Sequence, residues 1–161
     1  MNLWLIDNWK NFYEQNDISC RSGLRLRCDK EVNPEVKRAC KEFCKWLRTQ
    51  YYFPIRIPVY IKSSNKIRAR DGDMVSAVFF GPYNKCVEPY ISIAAGDYFD
   101  LLKKMNKDRA LSAILHSVSH ELTHYFQWIN DVHLTPSGVE KQASYYANYI
   151  LNCYRNTREH P

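Results

Sequence analysis

Residues 108–129 read D-R-A-L-S-A-I-L-H-S-V-S-H-E-L-T-H-Y-F-Q-W-I. Leu111, Ile114, Leu115, Val118, Leu122, Tyr125, Phe126 and Ile129 recur at helical spacing, which predicts one long helix with a broad apolar face. His120 and His124 fall far round from that face, beside Ala113 and Ser117, small residues that leave room for a second helix to close over them. Working outward, Thr135-Pro136 supplies a cap followed by proline at the first helical position, so a last helix starts there and runs to about Tyr154. Upstream, the pattern is helical from Asp97 with a break near Asn106. Before it come three strand signals: Arg56 to Lys62, with Ile57, Val59 and Ile61 alternating; Met74 to Phe80, ended by Gly81-Pro82; and Tyr90 to Ala94, with Ile91 and Ile93 on one face. Ser63 to Asp73 reads as a polar loop. Asn33-Pro34 starts a helix to about Gln50 with Val36, Cys40, Phe43, Cys44 and Leu47 as its stripe. Trp4, Trp9, Phe12 and Tyr13 could pack an N-terminal arm onto the body. The expected fold is one α+β domain, a small three-stranded sheet backed by helices.

The chain of 161 residues, 45% hydrophobic and 25% charged, fits one domain with a real core. No stretch is long and apolar enough for a membrane span, and Met1 to Asp7 has no basic leader, so the expected location is cytoplasmic. The six cysteines show no paired C-x-x-C knuckles and read as reduced, structural thiols, Cys40 and Cys44 as small hydrophobes on one helix. Charge is uneven: residues 1–70 hold 15 Lys and Arg against 7 Asp and Glu, residues 71–161 hold 8 against 10. A basic half of this kind suits a solvated face, an acidic partner or nucleic acid.

His120-Glu121-Leu122-Thr123-His124 is an H-E-x-x-H motif on the predicted long helix. Four residues apart, the histidines share one side, about one turn apart, and can each offer a ring nitrogen to one ion. Glu121, about 100° round, stands beside the ion's open position as a base. A bound zinc lowers the pKa of its water from 15.7 toward about 7, which makes a nucleophile at neutral pH.

A catalytic zinc commonly takes a third protein ligand. Asn130 stands where H-E-x-x-H-x-x-G-x-x-H enzymes have their third histidine, and Gln127 replaces the glycine, so that class is excluded. Glu140 leads, sharing a face of the last helix with Ala143, Ser144, Ala147 and Leu151; the alanines let two helices approach. Ser137-x-x-Glu140 is alternatively a capping box. His133, on the connecting loop, is the other possible ligand. His116 extends the histidine row as a structural or supporting residue, and Ser144 could orient His120 or His124 by a hydrogen bond.

On H-E-L-T-H-Y-F-Q-W (120–128), E-K-Q-A-S-Y-Y-A (140–147) and E-P-Y-I-S-I-A (88–94), the chain resembles the gluzincin metallopeptidases, most closely the single-domain minigluzincins, over about residues 33–155. The resemblance implies one zinc per chain held by His120, His124 and Glu140, with Glu121 as general base. It implies peptide-bond hydrolysis of a peptide or unstructured protein. It further implies that Tyr90, Ile91, Ser92, Ile93 and Ala94 form the edge strand above the cleft and pair with an extended substrate. Ser144 departs from the acidic residue common there. Minimal members can be latent, and the tail from Asn156 to Pro161 carries Glu159 and His160, either able to reach a metal. A zinc-stabilised binding module, or a protease similar to the SprT-like enzymes that uses the basic half to reach nucleic acid, is the alternative.

Overall fold

The computed structural model describes residues 2–13, 21–85 and 87–161; Cys20, Cys86 and the side chains of Phe12 and Tyr13 lie outside the described residues. The chain is α+β. In order, it forms a single 3-10 turn (Leu3–Leu5), α1 (Lys10–Tyr13), β1 (Leu24–Cys28), α2 (Pro34–Gln50) and β2 (Ile57–Lys62). There follow β3 (Ile67–Arg68), β4 (Met74–Val75), β5 (Ala77–Phe80), β6 (Tyr90–Ala94), α3 (Tyr98–Lys104), α4 (Lys107–Ile129) and α5 (Pro136–Arg155).

The three long helices begin where cap chemistry places them. The Asn33 side chain accepts from the Glu35 amide ahead of α2, Asn106 from Arg109 ahead of α4, and Thr135 from Gly138 ahead of α5. At the far end of α4, Asp131 takes the left-handed conformation (φ 53°) and the Val132 amide returns to the Gln127 carbonyl, closing the helix.

The sheet has four strands rather than three, in the order β1-β2-β6-β5, with β1, β2 and β6 parallel and β5 antiparallel to β6. The additional strand, L-R-L-R-C, lies in the stretch that carries no clear signal beyond its own alternation. Three further corrections follow from pairing. Met74 to Phe80 is two strands joined at Ser76. The polar loop contains β3, which closes a hairpin with β4. Tyr90–Ala94 is an interior strand, bonded to β2 on one side and β5 on the other, so the edge beside the helices is Ala77–Phe80.

Ile57, Val59 and Ile61 of β2 and Ile91 and Ile93 of β6 point into one core with Val36, Phe43 and Leu47 of α2 and Leu111, Leu115, Val118 and Leu122 of α4. Fully burying side chains of this size is worth about 1.5–3 kcal/mol each, which fixes the pose of α4 against the sheet. Tyr125 adds a polar tie: its hydroxyl donates to the Ile55 carbonyl (2.6 Å) and accepts from the Ile55 amide (3.1 Å). The N-terminal arm also docks on α4. Trp4 is buried against Tyr51 and Phe126, and its ring N–H donates to Thr123 Oγ1 at 3.1 Å.

Among the described residues, Cys28, Cys40, Cys44 and Cys153 are free thiols, and burial pushes the Cys44 thiol up to about 12. No described helix is long and apolar enough to cross a membrane. The last residues fold back on the start of α4: His160 Nδ1 meets Asp108 Oδ2 at 2.7 Å and Arg38 donates to the Pro161 carbonyl at 3.0 Å. Asp108 precedes His120 by twelve residues, about 18 Å of helix. Glu159 and His160 are therefore held at the end of α4 remote from the histidine pair.

Candidate metal centre

The apolar stripe of α4 faces the sheet, which turns His120 and His124 toward α5. Ala143 and Ala147 are fully buried under α4 and let α5 come close. With Thr135 as the cap, Glu140 is one turn into α5, and its carboxylate reaches across to the histidines instead of back to Ser137. Glu140 Oε2 lies 3.0 Å from His120 Nε2, and Oε1 lies 3.3 Å from His124 Nε2. Three ligands held at ~2.0–2.1 Å around a tetrahedral ion stand about 3.3–3.5 Å apart. The present spacing is close to that. His120, Glu121 and His124 also offer ligand atoms within 4.8 Å of one another, a group able to hold a metal ion.

Gln127 fixes the chemistry of His124. Its amide nitrogen lies 3.0 Å from the Val139 carbonyl, which can only accept, and also donates to Gln142 Oε1 at 2.9 Å. The amide oxygen must then be the atom 2.8 Å from His124 Nδ1, so Nδ1–H donates to it. In the neutral ring the lone pair is left on Nε2, facing the Glu140 carboxylate. A lone pair against a carboxylate oxygen at 3.3 Å is repulsive unless a cation lies between them, either a proton on the ring or a metal ion. The donor set of two imidazole nitrogens and one carboxylate fits zinc.

His120 is pushed below its ordinary pKa, first by burial and then by the neighbouring His124, with the Glu140 hydrogen bond opposing. Glu121 is 8% exposed, makes no hydrogen bond among the described residues, and is pushed up to about 7 by burial, with the Glu140 charge adding to it. In the metal-free fold this carboxyl can hold or release a proton near neutrality.

In the sequence Gln127 stands only as the replacement of a glycine, which does not announce its role; the signal that finds it is the i, i+3 spacing His124-x-x-Gln127 on one helix. Ser144 is exposed and makes no hydrogen bond to either histidine. His133 is exposed and pairs with Asp131 at 3.3 Å, outside the cluster. His116 stands 6.5 Å, ring to ring, from His120.

No family model matches the chain, and no curated protein and no solved structure matches it. The site therefore rests on its own geometry.

Beside it runs a groove of about 490 Å³ lined by Phe79, Lys85, His124, Trp128, Val139 and Glu140, among others. Its wall on the sheet side is the edge strand β5. The end of that strand is pinned to α4 one turn beyond His124: the Trp128 ring N–H donates to the Pro82 carbonyl at 2.9 Å. Gly81 packs so close that a Cβ there would stand 2.6 Å from the Trp128 ring. Only glycine fits. Tyr90–Ala94, the strand expected to border the cleft, lies one strand further in.

Proposed function

We propose that the chain is a zinc-dependent peptidase of the gluzincin type. The observation that carries this reading is the His124 lone pair, fixed by Gln127 and aimed with His120 at a single Glu140 carboxylate from the next helix. His120, His124 and Glu140 are the residues that would hold the ion. When bound, zinc supplies Lewis-acid chemistry, acidifying a water and polarising a scissile carbonyl. Glu121, on α4 but outside the ligand set, accepts the proton at its carboxylate and later returns it to the departing amine nitrogen. Burial of Glu121 excludes competing solvent from that proton.

The substrate is an extended peptide that adds to the free edge of β5, Ala77–Phe80, in place of the interior strand first expected. Its side chains are offered the apolar part of the groove at Phe79, Trp128 and Val139. An unstructured protein presents such segments.

The test is cleavage of an unstructured protein by the purified chain. Cleavage should stop with chelator, return with added zinc, and fall about 10²–10⁴-fold in Glu121→Gln, the usual contribution of a positioned base. Equal cleavage by wild type and Glu121→Gln would sink the mechanism.

A further inference from the structure

The alternation that sends Ile57, Val59, Ile91 and Ile93 into the core sends their neighbours to the other face of the sheet. There the register sets Arg27 of β1 beside Tyr60 of β2, and Phe80 of β5 beside Tyr90 of β6. Tyr60 and Tyr90 are 6.5 Å apart, ring to ring, and Tyr90 and Phe80 are 5.2 Å apart. Across β2 and β6 the register sets Tyr60 opposite Ser92, so Tyr90 is its diagonal neighbour. An arginine and three rings therefore run obliquely over all four strands.

Two of the three rings have a cation over one face. Lys62 lies over the Tyr60 ring at 5.3 Å, and Arg70, from the β3–β4 hairpin, lies over the Phe80 ring at 4.2 Å. Arg25 and Arg27 on β1 and Arg68 on β3 are exposed and make no ion pair with any described residue. The acidic side chains nearest by are matched by their own partners: Asp29 lies 3.8 Å from Lys62, and Glu88 pairs with Arg56 at 2.6 Å. Asp71 and Asp73 sit in the same hairpin turn as Arg70, at the β5 end of the face and not at the β1 end where Arg25 and Arg27 stand.

We propose that this face binds single-stranded nucleic acid. Aromatic rings give unpaired bases a stacking surface, and flanking arginines meet the phosphates; the two together distinguish this ligand from an acidic peptide, which has no use for the rings. The rings can stack only on bases that are not already paired and stacked on one another, and the face presents no helix to a duplex groove, so paired strands fit it poorly. The face lies on the side of the sheet away from α4, so binding there leaves the histidine cluster free. The proposal stands independently of peptidase activity.

The test is fluorescence anisotropy with a labelled oligothymidylate of about 12 nucleotides, from about 50 to about 200 mM salt. The full chain should bind, and more weakly as salt rises. Arg25→Glu with Arg27→Glu, both exposed, should weaken binding and reduce the slope of log affinity against log salt by about 1.4, near 0.7 for each phosphate left without its arginine. Tyr60→Leu keeps an apolar side chain and removes the stacking plane; it should weaken binding about tenfold with its melting temperature near wild type. No binding at low salt, stronger binding to the duplex, or binding untouched by Tyr60→Leu and matched by heparin would overturn the proposal. The last outcome would mark the face as a general polyanion surface.

Discussion

Glu121 is a carboxyl group buried beside another carboxylate, and both conditions favour its protonated form. An unfolded glutamate ionises near its ordinary value of 4.5, whereas Glu121 in the metal-free fold holds its proton to about 7. The folded state thus binds the proton more tightly, so the stability this group contributes is present at low pH and is lost as pH rises from about 4.5 to about 7. Glu121→Gln should leave the metal-free protein almost unchanged at about pH 4 and stabilise it on the order of 1–3 kcal/mol at about pH 8. Denaturant melts at the two pH values measure this; an equal difference at both would contradict it. Above about pH 7 the buried Glu121 charge is thereby a cost to the metal-free fold.

Beside the histidines, the Gln127 amide ties α4 to α5. Gln127 on α4 holds His124 with its oxygen and grips α5 at Val139 and Gln142 with its nitrogen, and Val139 is the residue before Glu140. Gln127→Leu fills similar volume without these bonds. It should lower zinc affinity about 10- to 100-fold, as removal of a partner supporting a metal ligand usually does. Competition with a chromophoric chelator reads this directly, and unchanged affinity would remove Gln127 from the site. Elements with local signals were legible in the sequence: Asn33-Pro34 and Thr135-Pro136 place the starts of α2 and α5 because cap chemistry lies within a few residues. Strand neighbours were not. β1 pairs in parallel with β2, a strand beyond the whole of α2, with no turn to announce it, and the edge position expected of Tyr90–Ala94 came from the resemblance and not from its own residues. Whether a strand is interior depends on partners that its own residues do not encode.

At the scale of the whole molecule, the fold separates two surfaces. One side of the sheet packs on α2 and α4 and carries the histidine cluster at the α4–α5 contact; the other carries the aromatic and basic row. The tail, clipped to Asp108, belongs to neither. His120, His124 and Glu140 were legible as residues because helical spacing dictates which side chains share a face. Their convergence on one point needed the packing of α5, and the free edge needed the sheet order. The central claim is that His120, His124 and Glu140 together hold one zinc ion. Metal analysis of the purified chain beside Glu140→Ala and His133→Ala tests it most directly. Wild type and His133→Ala should each carry about one zinc per chain, and Glu140→Ala little. Full zinc in Glu140→Ala, with zinc missing from His133→Ala, would contradict it.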